Sequence, residues 1–212
     1  MYRVFKRIFS KKNKFMSELI LNTVKKNKSI NPQGIYSVCS ANMFVLEASM
    51  LYAKEHSKFL LLEATSNQVD QFGGYTGLTP SMFRDMVKEI ANMTCYPFDK
   101  IVLGGDHLGP NVWQNEDSDT AMNKAEEQIR EYVKAGFTKI HLDTSMACGD
   151  DKVDETKMLD PKIITERAAR LCKAAEEVSN ENNKPVYVIG TDVPIPGGAL
   201  EDLKNIRVTK KE

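Results

Sequence analysis

Ile101-Val-Leu-Gly-Gly-Asp-His-Leu-Gly-Pro-Asn111 is the stretch on which the reading of this chain turns. Three apolar residues make a buried strand, and two glycines let the backbone pass close to a neighbour. Asp106 and His107 emerge where the strand ends, and Gly109 and Pro110 turn the chain away. A carboxylate beside an imidazole at a strand's C-terminal end is how α/β barrels display chemistry or bind a metal. The plainer reading is an Asp capping the turn and a His satisfied by a backbone carbonyl.

Working outward, short apolar runs alternate with amphipathic ones. Upstream, Ile35–Ser40 reads as a first strand. A helix follows with Asn42 as N-cap and Met43, Leu46, Glu47 and Met50 on one period. Phe59–Thr65 is a second strand, and Thr79-Pro80 opens a helix carrying Phe83, Val87 and Ile90. Downstream of the third strand, Asp117, Ser118 or Asp119 caps a helix that turns Ala121, Ala125, Ile129 and Val133 inward until Gly136 stops it. Lys139–Ser145 is a fourth strand. Asp160-Pro161 starts a helix with Ile164, Ala168, Leu171 and Ala175, and Val186–Thr191 is a fifth strand.

This alternation implies a parallel sheet covered by helices. A dinucleotide fold should show G-x-G-x-x-G after its first strand, whereas here the turn is Cys39-Ser-Ala-Asn42. A (β/α)8 barrel explains better why polar residues gather at the end of every strand. Five strands cannot close one, so the chain reads as about five βα units, the first part of a larger TIM barrel occupying residues 29–212.

Under that reading the strand ends present Ser37 and Cys39, Glu63, Asp106 and His107, His141 and Asp143, then Thr191 and Asp192. His141 and Asp143 lie two apart on a strand and point the same way. The third histidine, His56, sits in a charged segment and is solvated. Grouped carboxylates and imidazoles suit a divalent metal or acid/base work on a polar substrate; the alternative is a network of buried polar groups satisfying one another. The loop Thr65–Gly77 is long, polar and glycine-rich, so Asn67 and Gln68 are candidates to hold a sugar or phosphate, unless Phe72 and Tyr75 pack it down as a lid. Pro194–Gly198 is a second such loop. Trp113 and Gln114 beside Asn111 could stack on a sugar face or simply pack. Around Cys148 nothing supplies the positive field that a reactive cysteine wants.

With 29 basic and 29 acidic residues the formal net charge is +0, which excludes the strong basic field of a general nucleic-acid binder. No apolar run reaches the roughly 18 residues of a membrane span. The four cysteines form no C-x-x-C pair, as in a cytosolic protein with reduced thiols. Residues 1–28 carry nine Lys/Arg and one acid, Glu18. They read as a flexible basic extension, with a short amphipathic helix suited to an anionic membrane surface, or a later start at Met16, as alternatives.

The runs Ser37–Ser40, Glu63–Val69, Gln71–Gly77, Gly104–Asn111, Ala135–Phe137, Lys139–Asp143, Glu166–Ala169, Val188–Gly190, Val193-Pro194 and Pro196–Gly198 resemble one family, from about Gly34 to Val208. It is the GatZ/KbaZ accessory subunit of tagatose-1,6-bisphosphate aldolase. The resemblance implies a class II aldolase-like barrel, non-catalytic, that supports a separate zinc-dependent catalytic subunit in galactitol or N-acetylgalactosamine catabolism. It also implies members about twice this length. Asp106 and His107 are similar to the Asp-His pair that gives class II aldolases a proton-transfer acid and a zinc ligand. No histidine follows His141 in the chain, so a three-histidine zinc site is not completed within it. The expectations are therefore a subunit partnering the catalytic chain, or a metal-dependent aldolase or sugar epimerase in its own right. The second would use Asp106 as acid/base and His107 as ligand to zinc or another divalent ion. Glu63, Asn67, Gln68, Asn111, His141 and Asp143 would line a pocket for a sugar phosphate.

Overall fold

The computed structural model describes residues 16–27, 29–153, 159–180 and 184–190. Five parallel strands, β1 (Ser37–Cys39), β2 (Leu60–Thr65), β3 (Ile101–Leu108), β4 (Lys139–Leu142) and β5 (Val186–Ile189), pair in chain order. Helices α2 (Met43–Glu55), α3 (Pro80–Met93), α4 (Ser118–Ala135) and α5 (Pro161–Val178) connect them, and α1 spans residues 16–27. This is an arc of a (β/α) barrel. No helix among the described residues is long and apolar enough to cross a membrane.

Alternation along each strand divides the sheet into two faces. Leu60, Leu62 and Ala64 of β2, Ile101 and Leu103 of β3, and Ile140 and Leu142 of β4 form the outer face. They join Leu46, Met50, Phe83, Val87, Ile90, Ala125, Ile129, Val133, Leu171 and Ala175 of the helices in one core. The residues between them, Leu61 and Glu63, Val102 and Gly104, Lys139 and His141, face inward, and the register sets Leu61 beside Val102 and Glu63 beside Gly104, itself beside Lys139. Local signals place the helices: Asn42, Thr79, Asp117 and Asp160 each accept backbone N–H bonds at an N-terminus, and Gly136 ends α4 at φ 96°.

Strand boundaries are tighter than the apolar runs suggest. β1 keeps three residues, β4 ends at Leu142, and β5 is described only to Ile189, with Thr191, Asp192 and Pro194–Gly198 outside the described residues. Along α2 the inward stripe is Leu46, Met50 and Ala53, leaving Met43 and Glu47 exposed.

The larger correction concerns the N-terminus. Residues 16–27 are helical rather than a flexible extension. Met16 is buried against Leu61 and Val102, with Leu19, Ile20, Ile35 and Phe59 around it. The Ser17 hydroxyl donates to the Lys184 carbonyl at 2.6 Å, just before β5. The helix thus floors the inward face of the sheet. The basic amphipathic segment proposed for residues 1–9 lies outside the described residues.

Candidate functional site

At the mouth, a fault in strand pairing sets the geometry. Gly105 pairs with Ile140 but Leu108 pairs with Leu142, so β3 carries one residue more than β4 opposite it. The extra residue is absorbed at His107, which takes φ 49°, a left-handed conformation rare for a non-glycine residue. In an unbroken strand Asp106 and His107 would point to opposite faces. Here His107 Nδ1 lies 2.7 Å from Asp143 Oδ2, Asp106 Oδ1 lies 3.0 Å from His141 Nδ1, and the two imidazole centroids are 4.4 Å apart. One donor atom each from Asp106, His107 and His141 falls within 4.8 Å of the others.

Below this, Lys139 spans two carboxylates, with Nζ 2.5 Å from Glu63 Oε1 and 3.2 Å from Asp106 Oδ1. The Ser37 hydroxyl donates to the other oxygen of Glu63. Gly104 makes room: a Cβ there would sit 2.6 Å from Glu63 Oε1. At Gly109 a Cβ would meet the Asp143 carbonyl at 1.8 Å, so the segments after β3 and β4 touch backbone to backbone.

Burial alone would raise the Asp106 pKa. The His141 hydrogen bond and the Lys139 ammonium outweigh it and hold this carboxyl well below the usual range. Asp143 is likewise lowered, burial being outweighed by His107 and by the Ser145 hydroxyl and amide. The Cys39 thiol is pushed up to about 12 by burial and by the neighbouring Asp106 and Glu63 charges, so it stays protonated at neutral pH.

His141 Nδ1 has two suitors. It faces the Asp106 carboxylate at 3.0 Å and the His107 amide N–H at 3.3 Å. Protonated, it donates to Asp106; unprotonated, it accepts from His107, and it cannot do both. A divalent ion fits the group in one respect: two ligands of one tetrahedral ion, with bonds of roughly 2.0–2.1 Å, stand about 3.3 Å apart, close to the Asp106–His141 separation. Two imidazoles and one carboxylate form a ligand set with open positions, and Asp143 would orient His107 as carboxylates commonly orient metal-bound histidines. Lys139 is the competitor for the same Asp106 oxygen.

Residues 20–212 match the family described as D-tagatose-1,6-bisphosphate aldolase subunit GatZ/KbaZ-like. This chain belongs to that family. The D-tagatose-1,6-bisphosphate aldolase subunit GatZ of Klebsiella pneumoniae is 50% identical over 191 residues, which is 89% of this chain and 44% of that protein. The subunit of the same name from Salmonella paratyphi B is 50% identical over 190 residues, with the same shares. A crystal structure of a probable tagatose 6 phosphate kinase from Sinorhizobium meliloti 1021 aligns at TM-score 0.69 and 49% identity, covering 79% of this chain and 42% of that one. The chain thus spans less than half the length of these relatives. The match also begins at residue 20, upstream of Gly34 where the motif resemblance starts.

Within this GatZ/KbaZ-like chain the structure gathers Glu63, Asp106, His107, His141 and Asp143, all named from the strand ends. Asn67, Gln68 and Asn111 make their hydrogen bonds locally: the Asn67 carbonyl accepts from the Tyr75 amide, Gln68 Oε1 from the Thr65 amide, and Asn111 Oδ1 from Gln114. Phe72 and Tyr75 are exposed rather than packed as a lid, and Phe72 sets its edge to the buried Trp113. His56 is exposed, as its charged neighbours imply, and stacks on Tyr52. Cys148 does have a cation nearby, Arg167 at 3.8 Å. Asp151 holds that guanidinium by two 2.7 Å bonds, and burial with the Asp151 and Asp150 charges still raises the thiol. Sequence reasoning missed Lys139 as a member of the site. Its position two residues before His141, on the same face of a strand, was the available signal.

Proposed function

We propose that this chain acts as the non-catalytic subunit of a D-tagatose-1,6-bisphosphate aldolase, supporting a separate catalytic subunit in galactitol or N-acetylgalactosamine catabolism. The observation that carries this reading is the 50% identity, across 89% of the chain, to the Klebsiella GatZ subunit. The geometry supports it. The inward polar groups already engage one another, Lys139 bridging Glu63 and Asp106 and the His107 ring hydrogen-bonded to Asp143. A cytoplasmic location accompanies the proposal, since the substrate would be a charged sugar bisphosphate and all four cysteines are free thiols.

The test is aldol cleavage of tagatose 1,6-bisphosphate by this chain, by a catalytic subunit, and by the two mixed. The expected result is higher or longer-lived activity only in the mixture. A mixture no better than the catalytic subunit alone refutes the reading.

A second reading, a metal-dependent aldolase or epimerase in its own right, is favoured by the Asp106–His107–His141 cluster. A divalent ion held there would supply Lewis acidity to a substrate carbonyl. Asp106, held strongly ionised by His141 and Lys139, suits an anchoring carboxylate better than a proton shuttle, whose pKa should lie near the working pH. Equilibrium dialysis with zinc, together with turnover of Asp106→Ala, decides it. No bound ion and unchanged turnover would dismiss this reading.

A further inference from the structure

The lysine that shares Asp106 with His141 sits in a place shaped for a cation. Lys139 opens β4 and turns inward with His141, two residues on. Its register partner on β3 is Gly104, whose own partner on β2 is Glu63. The middle strand therefore carries no side chain where those of its neighbours meet. The Lys139 and Glu63 side chains close over that gap, and a Cβ at Gly104 would stand 2.6 Å from Glu63 Oε1. Lys139 is 8% exposed and Glu63 4%. The ammonium lies 2.5 Å from Glu63 Oε1 and 3.2 Å from Asp106 Oδ1, while the other Glu63 oxygen accepts from the Ser37 hydroxyl. All the strands from β1 to β4 thus contribute to holding one buried positive charge.

An ion held by Asp106, His107 and His141 needs the same carboxylate. Asp106 Oδ1 already faces Lys139 Nζ at 3.2 Å and His141 Nδ1 at 3.0 Å. A divalent ion on that oxygen would meet the like charge of the ammonium in a water-poor space. If the lysine withdrew to admit it, Glu63 would be left a buried carboxylate without its counter-charge, which is strongly unfavourable. The ammonium is also tethered to β4, so it competes at a fixed, high local concentration, whereas an ion must come from solution. We propose that Lys139 is the resident cation of this mouth. Its ammonium holds the place of a divalent ion beside Asp106 and keeps such ions off the Asp106–His107–His141 group, which binds zinc only once Lys139 is removed. The inference concerns ion binding alone and does not rest on the aldolase-subunit reading.

The experiment uses zinc alone as the probe. Equilibrium dialysis compares the intact parent chain with Lys139→Met and with Lys139→Met combined with Glu63→Leu, the second variant removing the carboxylate that the first leaves unpaired. The four free thiols are common to all three chains, so the readout is the difference between them. The expected result is one more zinc per chain in each variant that keeps a cooperative thermal melt. It should bind at least roughly tenfold more tightly than any ion on the parent, the low end of what a neighbour of a metal site changes in affinity. Adding Asp106→Asn should abolish the gain. In the parent, excess zinc should leave the His107 and His141 ring resonances unshifted in NMR spectra, a measurement that needs no variant to fold. Movement of those resonances in the parent overturns the proposal, as does a folded variant that gains no ion. A gained zinc that survives Asp106→Asn lies elsewhere and overturns it equally. Such a failure leaves the aldolase-subunit reading untouched, since that is decided by mixing subunits.

Discussion

Two ends of one surface obey opposite rules. At the floor of the sheet's inward face, Leu61 and Val102 meet Met16 in a small apolar cluster. Two residues further along β2 the inward position is Glu63, and four further along β3 it is Asp106, both paired with Lys139. The floor is held by burial of surface, which loses energy in proportion to what is removed. The mouth is held by complementary charge in a water-poor space, where losing one partner strands the others. A sheet can therefore carry a reactive-looking interior provided that its floor is ordinary and the polar groups of its mouth engage one another.

Removing the shared cation should break this contrast hardest. Lys139→Ala leaves Glu63 without its ammonium and should cost about 3–5 kcal/mol, the usual toll for breaking a buried pair. Replacing both members together, Lys139→Met with Glu63→Leu, should restore most of that in urea denaturation. A single-variant loss no larger than that of an exposed pair, under about 1 kcal/mol, would mean that the mouth is not governed by pairing.

At the floor, Met16→Ala should cost about 2 kcal/mol, at the low end for a buried methionine because the cluster is small. The effect should be independent of pH, since no titrating group joins that cluster.

pH sharpens the difference between the two ends. Asp106 has its pKa lowered in the folded state, so its contribution is present above the unfolded value of about 4 and is lost as pH falls below it toward the folded value. Thermal melts from pH 7 down to pH 3 should show a falling stability that Asp106→Asn flattens and Met16→Ala leaves parallel to the parent.

The smallest effect isolates the backbone at His107. His107→Ala and His107→Gly both delete the imidazole and its bond to Asp143, but only glycine relaxes a φ of 49°. The glycine variant should be the more stable of the two by about 1 kcal/mol. Equal melts would show that the left-handed turn carries no strain.

Much of the fold is legible because it is local. Asn42, Thr79, Asp117 and Asp160 cap the helices that their neighbours in sequence announce, and Gly136 stops α4, since each acts within one turn of chain. Glu63, Asp106, His107, His141 and Asp143 could be named from strand ends for the same reason. Their pairing could not. His141 and Asp143 lie two apart and their spacing turns both to one side, but it does not say that His141 meets Asp106 and Asp143 meets His107, which follows from the extra residue in β3 that re-aims His107. Lys139 reads in sequence as a polar start to a strand; it becomes central only when two other strands bring carboxylates to it. The N-terminal helix escaped notice because nine basic residues suggest solvent, whereas what orders it is the apolar Met16, Leu19 and Ile20 edge meeting a floor built by residues far away in sequence.

That floor has a consequence for the order in which the molecule is made. The Ser17–Lys184 hydrogen bond joins positions 167 residues apart. A contact of such separation forms late, after the loop between its ends has been organised by nearer contacts. During synthesis, the helix at residues 16–27 cannot make this bond until the strand-five region has emerged. Met16 can pack on Leu61 and Val102 as soon as β2 and β3 exist, but the helix is fastened to the far side of the arc only when β5 arrives, so its seating comes in two steps separated by most of the chain.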